Sequence, residues 1–447
     1  MESQRSHRRT LVRLGGPVYL ELLAGVTAGI INMVWVARLG GDAVAAVALA
    51  GNVENLLLGV VLMAGSGTTV LVARARGAGD PGAVRTAVRG GTVLCALLVP
   101  PVALGGFLLR EPLAALLLGG TGTGGDAYRL TAAYLAVSLP GTAVFFAGNV
   151  VDGILKGAGD TRTPMRLALL ANGLILVLDP FLIHAYGVPG AALATVLGRS
   201  AALAAGLAAL RRHPLLRAAR ATPPAGSTGA AVRRTAATGL PMAADFTVRM
   251  AGALALAVVV ARLGVTETAA YGIATKAMYV ATMAFYAVRQ AAAIHTAHLL
   301  GAGAGDRGPV ARAATLLGAA LGAGFAAVLW AGADGVMRLF GAGPDVAEAG
   351  ALLLRCLAGY LPLLGAYIAA AGVFEGAGAS PYLARITVAG VLLQLPLALA
   401  LSGLGLPGVC LAMTLAMAAQ GGALAVLHRR TARAAQAERV STLSGSG

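Results

Sequence analysis

The residues in this chain able to do chemistry are ionisable groups set inside long apolar stretches: Glu21, Glu54, Asp152, Asp179, Arg199, Asp245, Arg249, Lys276, Arg289 and Arg355. Inside a bilayer such a group costs about 2.5–3.5 kcal/mol on insertion scales, so it faces a cavity or a partner. Asp179 stands out. It lies about 15 residues up one apolar run and Asn32 about 16 up another, counted from the same membrane face, so the two share one height. Asn172, seven residues before Asp179, falls on the same helical face. A single carboxylate beside amides can carry a proton or offer oxygens to Na⁺, the chemistry of a coupling-cation site. Asp245 and Arg249 have the i, i+4 spacing of a helical ion pair, and Arg289 on the next run is a candidate to share it.

Other chemistries find less support. No glycine-rich loop ends in Gly-Lys-Ser/Thr, so nucleotide hydrolysis has no phosphate cradle. The run Gly119-Gly120-Thr121-Gly122-Thr123-Gly124-Gly125 lacks the lysine and is expected in an outer loop. His295 and His298 lie i, i+3 without a third ligand, so an interfacial structural role is expected and no metal site. Cys95, Cys356 and Cys410 sit in apolar runs at spacings that suit neither a CxxC pair nor a zinc cluster. The expectation is a protein that is not an enzyme and holds no cofactor beyond a coupling H⁺ or Na⁺.

The elements that position these groups follow from composition. Hydrophobic residues make up 58% of the 447 and charged residues 12%, against roughly 45–50% and 25% in a soluble domain; mean hydropathy is +0.80. The net charge of +16 is spread through short gaps between apolar runs, which is the pattern of membrane loops and excludes a nucleic-acid partner. About 20 apolar residues cross a bilayer, and twelve such runs occur, near 16–37, 44–73, 88–109, 126–155, 164–186, 190–210, 236–262, 268–298, 311–332, 346–373, 383–402 and 405–427. None alternates with the period of a strand. The first, after basic Arg5 to Arg13, is too long for a signal-peptide core and reads as an uncleaved span. With the N-terminus inside, 24 of the 34 Lys and Arg flank cytoplasmic ends and 5 flank outer ends. Both termini are therefore expected in the cytoplasm.

The chain also repeats itself. Gly15, Pro17 and Glu21 recur as Gly239, Pro241 and Asp245; Val36-Ala37-Arg38-Leu39-Gly40 recurs as Val260-Ala261-Arg262-Leu263-Gly264; and Gly77-Ala78-Gly79 recurs as Gly301-Ala302-Gly303, all at an offset of 224. Gly153-x3-Gly157-Ala158-Gly159 returns as Gly372-x3-Gly376-Ala377-Gly378 at 219, and Gly187-x-Pro189-Gly190 returns as Gly405-x-Pro407-Gly408 at 218. Six spans per copy make the copies parallel, so an all-α membrane protein is expected, two six-helix lobes related by a pseudo-two-fold axis along the membrane normal. The expected divisions are an N-lobe over 1–212, a flexible basic cytoplasmic linker over 213–234, a C-lobe over 235–430 and a cytoplasmic tail over 431–447.

The segment Gly153-Ile154-Leu155-Lys156-Gly157-Ala158-Gly159-Asp160-Thr161-Arg162-Thr163-Pro164 resembles the loop between the fourth and fifth helices of the multidrug and toxic compound extrusion (MATE) family. Gly15-x-Pro17 through Gly40 resembles that family's first helix; Asp179-Pro180 and the Gly187 to Thr195 run resemble its fifth and sixth. The resemblance covers residues 10–430. It implies a secondary antiporter of the cell membrane, a bacterial inner membrane, exporting small organic cationic or amphipathic drugs or natural products in exchange for H⁺ or Na⁺ by alternating access. Its partners would be that substrate and membrane lipid, and it would act as a monomer. A lipid-linked oligosaccharide flippase of the same superfamily is the alternative; a non-transporting receptor or scaffold would need neither the repeat nor Asp179.

The resemblance also implies roles. The family's first-lobe cation site uses carboxylates on helices 1 and 5, and the matching slots here hold Asn32 and Asp179. One branch of the family has an acid on helix 7 eight residues after the opening proline; Arg249 stands there instead, and Leu361 to Ala371 contains no acid. The family places helices 1, 2, 7 and 8 around its cleft, which assigns Glu54, Lys276, Tyr271, Met278, Tyr279, Met283, Phe285 and Tyr286 to the substrate surface, aromatic rings and thioethers suiting organic cations. Glu21 and Asp245 occupy equivalent positions in the two copies. Together with Arg249 and Arg289 they form either a cytoplasmic gate or pairs inside each lobe.

Overall fold

A computed structural model describes residues 2–118, 125–304 and 307–444. The Gly119–Gly124 stretch, expected in an outer loop, lies outside the described residues. Among the described residues sixteen α-helices and one 3₁₀ turn follow in chain order: α1 (Glu2–Ala37), α2 (Gly41–Gly77), α3 (Pro81–Leu108), α4 (Arg110–Leu117), α5 (Asp126–Gly157), α6 (Arg162–Tyr186), α7 (Val188–Arg212), α8 (Pro214–Ala221), α9 (Thr228–Ala261), α10 (Val265–Gly301), α11 (Gly308–Ala331), α12 (Ala333–Leu339), α13 (Pro344–Cys356), α14 (Tyr360–Gly376), α15 (Ser380–Ala400) and α16 (Leu406–Ser444). No strand occurs among the described residues.

Ten of these helices are long and apolar enough to cross a membrane. The expected tenth run is broken: α13 and α14 meet at a 55° bend between Cys356 and Tyr360. Pro362 explains the break, because its ring collides with the carbonyl four residues back, at Ala358, and it has no N–H to give. The remaining expected span is α10, whose 37 residues reach about 55 Å at 1.5 Å per residue. Its load of Thr, Tyr, Lys276 and Arg289 sets it apart from the ten.

The expected flexible linker is held at several points. Within it α8 buries Leu216 and Ala219, Arg85 on α3 donates to the Arg220 and Thr222 carbonyls at 2.9 and 2.8 Å, and the Ala225 amide donates to Thr86 Oγ1 at 2.9 Å. Arg217 and Arg220 share this short helix with the buried pair.

Two compact units form. The first comprises residues 16–243 with 297–304; the second comprises, among the described residues, 2–15, 244–296 and 307–444. In the first unit a methyl on Gly239, in the first half of α9, would lie 2.7 Å from the Met63 carbonyl carbon on α2. In the second a methyl on Gly15 would lie 3.4 Å from the Ala287 carbonyl oxygen on α10. Both members of these contacts differ by 224, so one contact is made twice. The repeated glycine motif does the same: Gly153 on α5 packs on the Gly65 carbonyl of α2, and Gly372 on α14 packs on the Arg289 backbone of α10. Small residues let membrane helices approach this closely, since lipid tails give packing in place of a hydrophobic drive.

Candidate functional site

Asp179 sits on α6, fully buried at 0% exposure. The Asn32 side chain on α1 donates its Nδ2–H to Asp179 Oδ2 at 2.9 Å, while Oδ1 is buried with no hydrogen-bond partner among the described residues. An unpaired oxygen on a buried carboxylate is costly unless something occupies it. Pro180 lies inside the same helix and, lacking an N–H, leaves the Leu176 carbonyl without its usual donor. A buried acid, an amide and a freed carbonyl are an oxygen-rich set suited to a proton or a small hard cation. The hydrogen bonds described join Asp179 to Asn32 and not to Asn172, which is half-buried two turns earlier.

The second set of buried charges is a pair of ties inside the units. In the first, Lys156 Nζ on α5 donates to Glu21 Oε1 on α1 at 2.7 Å. In the second, Asp245 on α9 receives Arg249 at 2.5 Å, Arg289 from α10 at 2.6 Å and the Thr387 hydroxyl from α15, while Arg289 also reaches Glu375 on α14 at 2.6 Å. Tyr367 completes the cluster, its hydroxyl 3.2 Å from Thr387 Oγ1. Glu21, Asp245, Arg249 and Arg289 are thus paired inside each unit, each acid with a buried cation of its own unit.

The MatE family profile matches residues 17–181 and 241–400. The chain belongs to the MatE family. Similar curated relatives are the probable multidrug resistance protein YpnP of Bacillus subtilis, 24% identical over 375 residues and covering 83% of each chain, and a probable multidrug resistance protein NorM of Deinococcus radiodurans, 28% identical over 370 residues, 81% of this chain and 79% of that one. Among solved structures, a MOP superfamily transporter from Pyrococcus furiosus superposes with a TM-score of 0.88 at 21% identity, covering 96% of this chain and 97% of that one. The Vibrio cholerae MATE transporter VcmN gives 0.88 at 20%, covering 97% and 99%. The fold is thus that of the MATE transporters, and the protein is a multi-pass membrane protein.

Within this MatE fold the residues assigned to the substrate surface divide. Lys276 and Tyr279 on α10 are exposed; Tyr271, Met278 and Tyr286 are half-buried against the core of the second unit. Met283 is buried, and Phe285 is not surface at all. Its ring is fully buried, edge-on to Phe325 at 6.3 Å, because α10 turns that side toward α11 and α14. Glu54 lines a cavity within the first unit together with Arg199. His295 Nε2 meets His7 Nδ1 at 2.9 Å.

Sequence reasoning passes over two partners. Lys156 falls by position among the cytoplasmic cations, yet it is 7% exposed, and Glu375, 5% exposed, is absent from the candidate residues. The signal is present in the repeat: both stand one residue before the second glycine of the repeated motif, and 156 and 375 differ by its offset of 219.

Proposed function

We propose that this protein is a cation-coupled exporter of small organic molecules in the cell membrane, with Asp179 as the residue that takes up the coupling cation. The observation that carries the reading is the buried Asp179 carboxylate, bonded through one oxygen to Asn32 and open at the other. The names of the relatives, multidrug resistance proteins, support drugs or natural products as cargo. Exchange follows if the cation and the cargo favour opposite conformations. Moving a two-state protein from mostly one state to mostly the other needs a differential affinity of about 5.5 kcal/mol, and the change in charge at one desolvated carboxylate is a large part of such a difference.

The cation is H⁺ or Na⁺, and the carboxylate serves either. The test uses proteoliposomes with an imposed pH or Na⁺ gradient and efflux of a fluorescent organic cation such as ethidium. Asp179→Asn is expected to insert and fold, to bind ethidium and to lose gradient-driven movement, while Asn32→Asp keeps or strengthens coupling. Full gradient-driven export by Asp179→Asn would move the role to another residue, with Glu54 next in line.

A further inference from the structure

The first unit holds a cavity of ≈ 170 Å³ that the cation reading leaves unused. Helices α2, α5 and α7 wall it, and its polar lining includes Glu54, Asn55, Tyr134, Thr142 and Arg199, with the Phe145 ring beside them. At about 30 Å³ per water, its volume corresponds to five or six waters, or one small solute. The Arg199 guanidinium lies over the Phe145 ring, its carbon 4.3 Å from the centroid, a cation–π contact that holds it on the cavity wall. Glu54 enters from the neighbouring helix. The two feel each other's charge, yet no ion pair closes between them among the described residues, unlike Glu21 with Lys156 or Asp245 with Arg289.

Glu54 and Arg199 are each half-buried, and opposite charges that line one cavity without closing on each other are best satisfied by a solute that bridges them. The geometry points to a small zwitterionic solute as the occupant, its cationic group on Glu54 and its anionic group on the Arg199 fork. An aromatic or flat body between the two charges would pack beside the Phe145 ring, and the planar guanidinium matches a carboxylate with two parallel N–H donors. This assigns the cavity to cargo and gives that cargo's charge pattern, and so rests on the exporter reading above.

Three probes of one shape separate the charges: 4-(aminomethyl)benzoate carries both, benzylamine the cation alone and benzoate the anion alone. Calorimetric titration of the full-length protein in lipid nanodiscs, without any gradient, should find the zwitterion binding at least about tenfold tighter than either of the others. Glu54→Gln should bring it down to the level of benzoate, and Arg199→Gln to the level of benzylamine. Equal affinity for all three, or no binding of 4-(aminomethyl)benzoate, overturns the assignment. That comparison is made on the unmodified protein, so it holds even if a variant fails to fold. Since equilibrium binding needs no coupling, a failure here leaves the Asp179 test standing, and a failure there leaves this one.

Discussion

Arg289→Met isolates what the buried charge cluster of the second unit contributes. Arg289 is 6% exposed and holds both Asp245 and Glu375 at 2.6 Å. Removing it leaves two buried carboxylates facing Arg249 alone, hence one uncompensated negative charge beside α9, α14 and α15. Breaking a buried pair from one side costs about 3–5 kcal/mol, whereas replacing both partners by apolar groups is close to neutral. Arg289→Met should therefore lower the stability of the protein in bicelles by that amount, measured as equilibrium unfolding followed by fluorescence. The double variant Arg289→Met/Glu375→Leu removes one charge of each sign and keeps Asp245 with Arg249 and Thr387. It should regain at least about 2 kcal/mol of the loss, a coupling within the range contacting residues show. A single variant that costs under about 1 kcal/mol, or a double variant no better than the single, would refute the view that the cluster is a charge-balanced tie.

Lys156→Met should be destabilising in the same assay, because Glu21 Oε2 already lacks a hydrogen-bond partner and Oε1 would lose its cation; adding Glu21→Leu should restore most of the loss. Gly77→Ala and Gly301→Ala should each cost about 1–3 kcal/mol, since a methyl would lie 2.8 Å from the His298 carbonyl carbon in one case and 2.8 Å from that of Arg74 in the other. Because both methyls force open one crossing of α2 and α10, the double variant should cost little more than either single, a departure from additivity that thermal unfolding would detect. At the C-terminal end of α7, burial pushes the His213 pKa down, opposed by Asp160 and reinforced by Arg76. The folded state then holds the neutral ring, so its contribution is full above the ordinary histidine pKa of about 6.5 and falls as pH drops toward the folded value. Hydrogen exchange over 212–222 should speed up on acidification in the parent and stay flat in His213→Gln.

The helices were legible because a bilayer leaves few options: every backbone group must be bonded within its own segment, so run length alone announces spans. Glycine spacing announced the repeat, and the repeat announced close packing at Gly153 and Gly372, as the structure has it. Rotation about each helix was less legible. Phe285 and Tyr279 lie six residues apart on α10, yet one is fully buried and the other 48% exposed, and an Ala/Gly-rich helix carries too weak an apolar stripe to say which way it faces. Lys156 was hidden by its position at a helix end, where a lysine ordinarily reaches water; its acid partner on α1 explains its burial.

Set side by side, the copies show how a repeat diverges without losing its ties. Glu21 and Asp245 are equivalent, as are Lys156 and Glu375, so the first unit closes a simple acid–base bridge while the second would face acid with acid. Arg289 resolves the conflict from the position that is Gly65 in the first copy, 224 residues earlier, and its charge binds α9, α10 and α14 together. The first copy uses that slot for close packing, a methyl on Gly65 meeting Asn149. These buried and half-buried acids of the long helices thus have protein cations in contact or close by: Glu21 has Lys156, Asp152 lies in the field of Lys156, Glu54 in that of Arg199, and Asp245 and Glu375 share Arg289. Asp179 has an amide in place of a cation. A proton or Na⁺ arriving there displaces no guanidinium or ammonium, whereas at each of those other acids it would compete with one, and that asymmetry in charge is the physical reason to look for coupling on α6.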